Sequence, residues 1–286
     1  MTTAPAPQSD DRHLWTAAVA WLVLTAIAVP LIVFVLGPHL PPGRMSAEAS
    51  DQTSANIVLT AICVPIVLLI VIFFGYAFVV FRARGTAIED GPPDFGDARA
   101  QVLWLILTSV IVISLAVWGT YTLFWSAHGA GGGQGPNPVA KPSDASSALQ
   151  VQVIGQQWNW TYRFPGYGGV ETAHLEIPVG RDVEFLVTSL DVTHSFWAYE
   201  LGVKADAVPG TENIAYVHPR QTGSFSIRCA ELCGLWHGHM FQTGEVVTSA
   251  QFASWIAGQQ HAEAPNLKYL PGYSGVYFPE PTRRAG

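Results

Sequence analysis

The chain has 286 residues, 49% of them apolar and only 12% charged, with a formal net charge of −7. Ordinary soluble domains carry about 25% charged residues, so a wholly soluble globular protein is excluded. The acidic balance gives no basis for a nucleic-acid partner. The shortage of charge is concentrated in the first half. Three apolar stretches, at about 15–36, 57–81 and 102–124, contain no Asp, Glu, Lys or Arg. Each has about 20 residues or more, which at about 1.5 Å per helical residue crosses a hydrocarbon core of about 30 Å. One such run is compatible with a buried core helix, but three in succession specify transmembrane helices.

Arginines set the orientation. Arg82, Arg84 and Arg99 flank the connection between the second and third spans, and Arg12 precedes the first. Both places therefore read as cytoplasmic, and the third span carries everything after it to the outer side. Trp104 and Trp125 stand near the two ends of that span, where amphipathic rings prefer the membrane interface. The first span competes with a reading as a cleaved signal peptide. Its apolar run exceeds the roughly 7–15 residues of a signal h-region and no clear small-x-small cleavage site follows, so a retained helix is expected. Pro30 and Pro65 are expected to kink their helices. Cys63 reads as a buried lipid- or helix-facing thiol.

Residues 127–148 form a Gly/Pro/Ser-rich connector. Beyond it Leu149, Val151 and Val153 alternate with Gln150 and Gln152, the period-two signature of a strand. Further short strands are expected at about 157–164, 173–177, 182–188, 213–218, 222–228 and 240–248, separated by Gly, Pro and Asp turns. About 110 residues of this kind, 149–258, suffice for a small sandwich or Greek-key barrel. Trp158, Trp160, Tyr162 and Phe164 occupy alternate positions and so point to one face, as core residues do. Ser249 is placed to cap a short helix through Phe252, Trp255 and Ile256. In the tail, residues 259–286, Tyr269, Tyr273, Tyr277 and Phe278 lie among Pro and Gly. That is apolar for a free end, so packing on a partner subunit is expected. Between Ser147 and Ala250 ten acidic residues oppose five basic ones.

The chemistry is carried by Cys229-Ala-Glu-Leu-Cys-Gly-Leu-Trp-His-Gly-His-Met240. Two thiols stand four residues apart, with His237 four after the second and Met240 three after that. Thiolate and thioether are soft donors and imidazole is borderline, so the set suits copper better than calcium or magnesium. Two thiolates on one loop can bridge two copper ions, each completed by one His and one weak axial ligand. The second His is offered by His194 in Asp191-Val-Thr-His-Ser-Phe-Trp197. An ordinary disulfide between Cys229 and Cys233 leaves the spacing of His237 and Met240 unexplained, and a zinc site gives Met240 nothing to do. His239 lies between ligands, and His174, His218 and His261 read as surface or core histidines.

The pattern Cys-x-Glu-x-Cys-x-x-x-His-x-x-Met with an upstream Asp-Val-x-His-Ser resembles the dinuclear CuA signature of cytochrome c oxidase subunit II. The resemblance extends to Gln157-Trp158-Asn159-Trp160-Thr161-Tyr162 and Gly202-Val-Lys-Ala-Asp-Ala-Val-Pro-Gly210, and covers most of residues 100–258. It implies an α+β membrane protein: a transmembrane helical region, 1–126, followed by an extracytoplasmic cupredoxin-like Greek-key β-barrel. The implied CuA ligands are His194, Cys229, Cys233, His237, Met240 and the backbone carbonyl of Glu231. The Glu231 side chain would hold a magnesium ion shared with subunit I, against the simpler alternative of a solvated loop carboxylate. Trp158 would take up electrons, a role that competes with plain core packing.

The implied partners are subunit I, which holds the heme, further oxidase subunits, a basic c-type cytochrome as donor, and the lipid bilayer of a bacterial-type membrane. The implied activity is that of cytochrome c oxidase, with O2 reduction in subunit I coupled to proton translocation. The absence of a Cys-x-x-Cys-His motif excludes a fused c-type heme domain. Two rivals share the ligands: the copper subunit of a nitric oxide reductase, and a membrane-tethered copper carrier or assembly protein. A quinol oxidase subunit is disfavoured by the intact ligand set. Three features depart from the family. There are three spans where two mature ones are usual, and Thr211 follows Pro209-Gly210 where an Arg is often found. Gln101 stands where many members carry a Glu at the mouth of a proton path, with Glu89, Asp90 or Asp97 as candidate substitutes.

Overall fold

The computed structural model describes residues 11–82, 96–126 and 145–267. Arg84, Glu89, Asp90, the connector at 127–144 and the tail from 268, with Tyr269, Tyr273, Tyr277 and Phe278, lie outside the described residues, as does the Trp125 side chain. Three helices precede the β-strands. Helix α1 (Asp11–Leu31) runs on through a widened π-helical turn, Ile32–Leu36, and a 3-10 turn, Gly37–His39. Helix α2 covers Ala47–Val80 and α3 covers Ala98–Tyr121, the latter ending in a π-helical turn, Thr122–Ser126. All three are long and apolar enough to cross a membrane. Their apolar side chains stand exposed, among them Phe78 and Trp104, as a lipid-facing surface requires.

Polar groups within these helices are few and are placed deliberately. Pro30 supplies no amide hydrogen, and α1 widens into its π turn just beyond it. The Trp21 indole N–H donates to the Pro65 carbonyl of α2 at 2.8 Å. Nearer the other end of the pair, His13 Nδ1 and the Tyr76 hydroxyl are 2.7 Å apart. Asp97 caps α3 by accepting the Arg99 backbone N–H at 2.8 Å, a standard role for Asp before a first helical turn.

The second unit is a sandwich of ten short strands in two sheets of five. Strands β1 (Leu149–Gln156), β2 (Asn159–Phe164), β3 (Val170–Thr172), β5 (Val183–Ser189) and β8 (Asn213–Val217) form one sheet. Its order is β3-β2-β1-β5-β8. Strands β4 (Glu176–Pro178), β6 (His194–Ala198), β7 (Val203–Ala207), β9 (Gly223–Cys229) and β10 (Phe241–Val247) form the other. Its order is β4-β10-β9-β6-β7. The pairs β1–β5 and β4–β10 are parallel; the rest are antiparallel. Trp160, Tyr162, Phe164, Phe185, Phe196, Phe225 and Ile227 are fully buried between the sheets. Alternation explains which side chains go inward: Trp160, Tyr162 and Phe164 share one face of β2. Central strand β5 is buried along its whole length, and Glu184 there is accommodated by accepting from Tyr216 Oη at 2.6 Å and Gln150 Nε2 at 2.8 Å.

Cys63, expected to be buried, is exposed on α2, where no neighbouring helix covers it among the described residues. Four further sequence expectations need correction. The single strand expected at 173–177 is two: β3 joins one sheet and β4 the other, with His174 and Leu175 making the crossing. Strands β6 and β7 were not foreseen, because the ligand-bearing Asp191–Trp197 stretch and the small side chains of Val203–Ala207 hide their alternation. The last helix, α4 (Ser249–Leu267), has 19 residues and is not short. Its cap is Thr248, not Ser249. Thr248 Oγ1 accepts the Gln251 N–H at 3.3 Å while Gln251 Oε1 accepts the Thr248 N–H at 3.0 Å, a capping box. Phe252 and Ile256 are buried, Trp255 packs on the core, and both Trp255 and Phe252 meet the Phe164 ring.

The connection before α2 is built into the β sandwich. The Met45 carbonyl accepts the Arg220 and Gln221 N–H groups at 2.8 and 3.2 Å. Ser46 Oγ donates to the Leu201 carbonyl at 2.7 Å and accepts the Ala49 N–H at 2.9 Å, so one hydroxyl both anchors and caps α2. Buried Glu48 accepts the His218 N–H at 3.0 Å. Gly202, at φ +67°, lets Ala49 approach so closely that a Cβ there would lie 2.9 Å from its backbone.

Candidate metal centre

His194 opens β6 and Cys229 closes the neighbouring antiparallel strand β9. The register pairs Cys229 with Phe196, which leaves His194, two residues away on the same face, as its diagonal neighbour. The stem of the loop that follows is zipped. Cys229 N–H donates to the Met240 carbonyl at 3.0 Å and Ala230 N–H to the Ser195 carbonyl at 2.9 Å. A 3-10 turn over His237–His239 returns the chain to Met240 and β10. The loop is thereby held at both ends by two strands of a rigid sheet.

Its donors converge. Cys229 and Cys233 are free thiols whose sulfurs are 3.7 Å apart. His194 Nδ1 lies 3.9 Å from the Cys229 sulfur, and His237 Nδ1 lies 3.5 Å from that of Cys233. Met240 Sδ is 3.8 Å from Cys233 Sγ, and the Glu231 carbonyl is 3.2 Å from Cys229 Sγ. Ligand atoms of His194, Cys229 and Cys233 fall within 4.8 Å of one another. His194, Cys233 and Met240 are buried, Cys229 is nearly so, and His237 is half-exposed. The sequence-derived set is thus gathered: two sulfurs abreast, an imidazole at either end, and one weak donor beside each sulfur. Such a set of soft and borderline donors fits copper, and the inward thioether is of little use to zinc. The Glu231 side chain is exposed on the loop. His239 is also exposed, its ring edge-on to Trp236. Trp158 stands just ahead of β2, outside the buried aromatic row, and its indole N–H donates to the Cys233 carbonyl at 3.2 Å.

Asp191 is the member of the motif whose role the sequence left unassigned. Its Oδ1 accepts from His194 Nε2 at 2.8 Å, which leaves Nδ1 to face the sulfurs. An Asp three residues before a ligand His was the available signal. Burial alone would raise the Asp191 carboxyl, but the Gln157 N–H, the His194 ring and the Val192 N–H bring it below its ordinary value. Burial likewise opposes a charge on His194, yet contacts with Cys229 and Asp191 raise its basicity. For Cys229, burial is outweighed by hydrogen bonds from His194 and the backbone, which lower the thiol to about 6. Cys233 is pushed up to about 12 by burial and by its charged neighbour Cys229. The two thiols are thus pushed in opposite directions, Cys229 toward the thiolate and Cys233 toward the protonated form. Sequence reading also missed the exposed apolar rim of the loop, where Leu232, Leu235 and Trp236 face outward.

Two facing sheets with Cys, His and Met donors gathered on the loop between late strands define a cupredoxin-like domain with a candidate copper site. The family profile "Cytochrome C oxidase subunit II, periplasmic domain" matches residues 172–247. The chain is 28% identical to a cytochrome c oxidase subunit 2 of Thermostichus vulcanus, the match covering 87% of this chain and 88% of that one. It is 27% identical to a protein of the same name from a Synechocystis species, over 88% of this chain and 85% of that one. Among solved structures, the periplasmic domain of subunit II of cytochrome oxidase (CoxB) of Bradyrhizobium japonicum is 31% identical, covering 41% of this chain and 96% of that one, with a TM-score of 0.39. The chain is thus similar over most of its length to proteins named cytochrome c oxidase subunit 2, and its β domain matches the family's periplasmic-domain profile.

Proposed function

We propose that this chain is the electron-accepting subunit of a heme–copper terminal oxidase, and that its β domain holds a dinuclear CuA centre. The observation that carries this reading is the pair of free thiols 3.7 Å apart, closed at one end by His194 and at the other by His237. His194, Cys229, Cys233 and His237 would hold the metal pair, with Met240 and the Glu231 carbonyl as weaker donors beside them. When bound, two copper ions held by this donor set would supply a one-electron couple. The protein's part is to keep those donors fixed in both redox states: the zipped loop stem and the Asp191–His194 bond do so, and burial of Cys233 and Met240 excludes water.

Electrons would arrive from a c-type cytochrome through Trp158, whose indole is bonded directly to the Cys233 carbonyl, and leave for heme in subunit I. There O2 is reduced to water with proton translocation. The exposed Glu231 carboxylate is a hard donor suited to a magnesium ion shared with that subunit. The arginine distribution supports a β domain on the outer side of a bacterial-type membrane. The rim of Leu232, Leu235 and Trp236 supports a protein partner over the loop.

The test is copper loading of the full-length chain purified in detergent. We expect two copper ions per chain and an electron paramagnetic resonance pattern of one electron shared equally by two copper nuclei. Cys229→Ser or Cys233→Ser should abolish the sharing. Zinc, or one ion per chain with a single-nucleus pattern, would overturn the reading.

A further inference from the structure

Gln157 bonds to residues on both sides of the thiol pair. Its side-chain amide donates to the Cys233 carbonyl at 2.9 Å, the same oxygen that takes the Trp158 indole N–H at 3.2 Å. Its backbone N–H donates to Asp191 Oδ2 at 2.6 Å, while the other oxygen of that carboxylate takes His194 Nε2 at 2.8 Å. Gly234, at φ +114°, brings the loop so near that a Cβ there would lie 2.9 Å from the Gln157 amide nitrogen.

A hydrogen-bonded path thus runs outside the ligand set from His194 through Asp191 and Gln157 to Cys233. It joins three separate loops. A carbonyl oxygen has two lone pairs, and here two side chains fill both. That fixes the peptide plane following Cys233, and with it the direction of the Cys233 side chain. Both N–H dipoles turn their positive ends toward that carbonyl oxygen, which belongs to the same residue as the thiol nearest Met240 and His237.

We infer that Gln157 is a positioning residue for the sulfur pair: it clamps the Cys233 peptide and ties it, through Asp191, to His194, so that the two halves of the centre keep one geometry. This rests on the copper reading above. Partners of metal ligands commonly change affinity by about 10–100-fold when removed, and a clamp of this kind is expected to lie in that range.

The experiment compares the copper-loaded full-length chain with Gln157→Glu, which keeps the shape but only accepts when ionised, and Gln157→Met, which has similar length and no donor. Both should bind copper about 10–100-fold more weakly. Both should show unequal sharing of the unpaired electron, and a lowered midpoint potential, more so for Glu because it adds negative charge. Trp158→Phe, which removes the second donor and keeps a ring, should shift the potential the same way by less. A change in thermal stability with unaltered hyperfine pattern and potential in the loaded variants would overturn the clamp and leave the copper reading intact. A wild-type chain without the shared signal would instead remove the copper reading, and the clamp with it.

Discussion

Cys229 and Cys233 differ by their surroundings although they share one loop, and that difference should govern metal uptake. Cys229 is held down at about 6 by His194 and backbone donors that outweigh burial, whereas Cys233 is held up at about 12. A metal ligand must be deprotonated. Above pH 6 loading displaces the Cys233 proton; as pH falls through about 6, Cys229 gains a proton that must be displaced as well. His194, raised by Cys229 and Asp191 against the opposing effect of burial, adds competition in the same direction. Apparent copper affinity should therefore fall as pH falls, and more steeply below about 6. Competition titrations against a colorimetric copper chelator at stepped pH would measure this. A profile without added slope in that range would show that these protons are not coupled to loading. At this scale the motif was legible because ligand spacing is local in sequence. The Asp191 and Gln157 contacts were not, because they depend on three loops meeting in space.

At the scale of elements, the membrane helices and the buried faces of β1, β2 and β5 could be read because long apolar runs and strict alternation are strong signals. Strands β6 and β7 could not. In β7 the inward residues Val203, Ala205 and Ala207 are small, and the outward Lys204 and Asp206 make the stretch look like a turn. The seat of Pro41–Thr53 on the sandwich was also hidden, since it rests on backbone bonds joining Met45 and Ala47 to distant residues 218–221 and on the Ser46 hydroxyl bond to Leu201. Gly202 is its most exposed dependency. Ala there would force a non-glycine residue to φ +67° and push a Cβ to 2.9 Å from the Ala49 backbone. We expect Gly202→Ala to destabilise the β domain by about 1–3 kcal/mol. Near-ultraviolet circular dichroism during thermal unfolding would report it, and an unshifted midpoint would mean that the seat gives way without cost.

At the scale of the whole molecule, the distribution of charge bears on the electron donor. Of the residues between Ser147 and Ala250, Glu184 and Arg163 are buried and contribute little to the outer field. Nine acidic and four basic side chains remain, so the excess of acid persists at the surface. Fields of this sign concentrate a basic partner and raise its association rate by about 10–1000-fold at low salt. They are screened beyond about 10 Å at 0.1 M salt. The rim of Leu232, Leu235 and Trp236 is uncharged and should contribute to the docked complex without steering the approach. Two regimes follow. The second-order rate of electron transfer from a basic c-type cytochrome should fall steeply, about tenfold or more, as ionic strength rises from 0.01 to 0.1 M by the same screening. The first-order rate within the formed complex should stay constant, because the path from Trp158 to Cys233 is a direct hydrogen bond that salt does not reach. Stopped-flow mixing of reduced cytochrome with the copper-loaded protein at stepped potassium chloride separates the two. A second-order rate indifferent to salt would show that the acidic surface serves solubility alone and that apolar contact governs encounter.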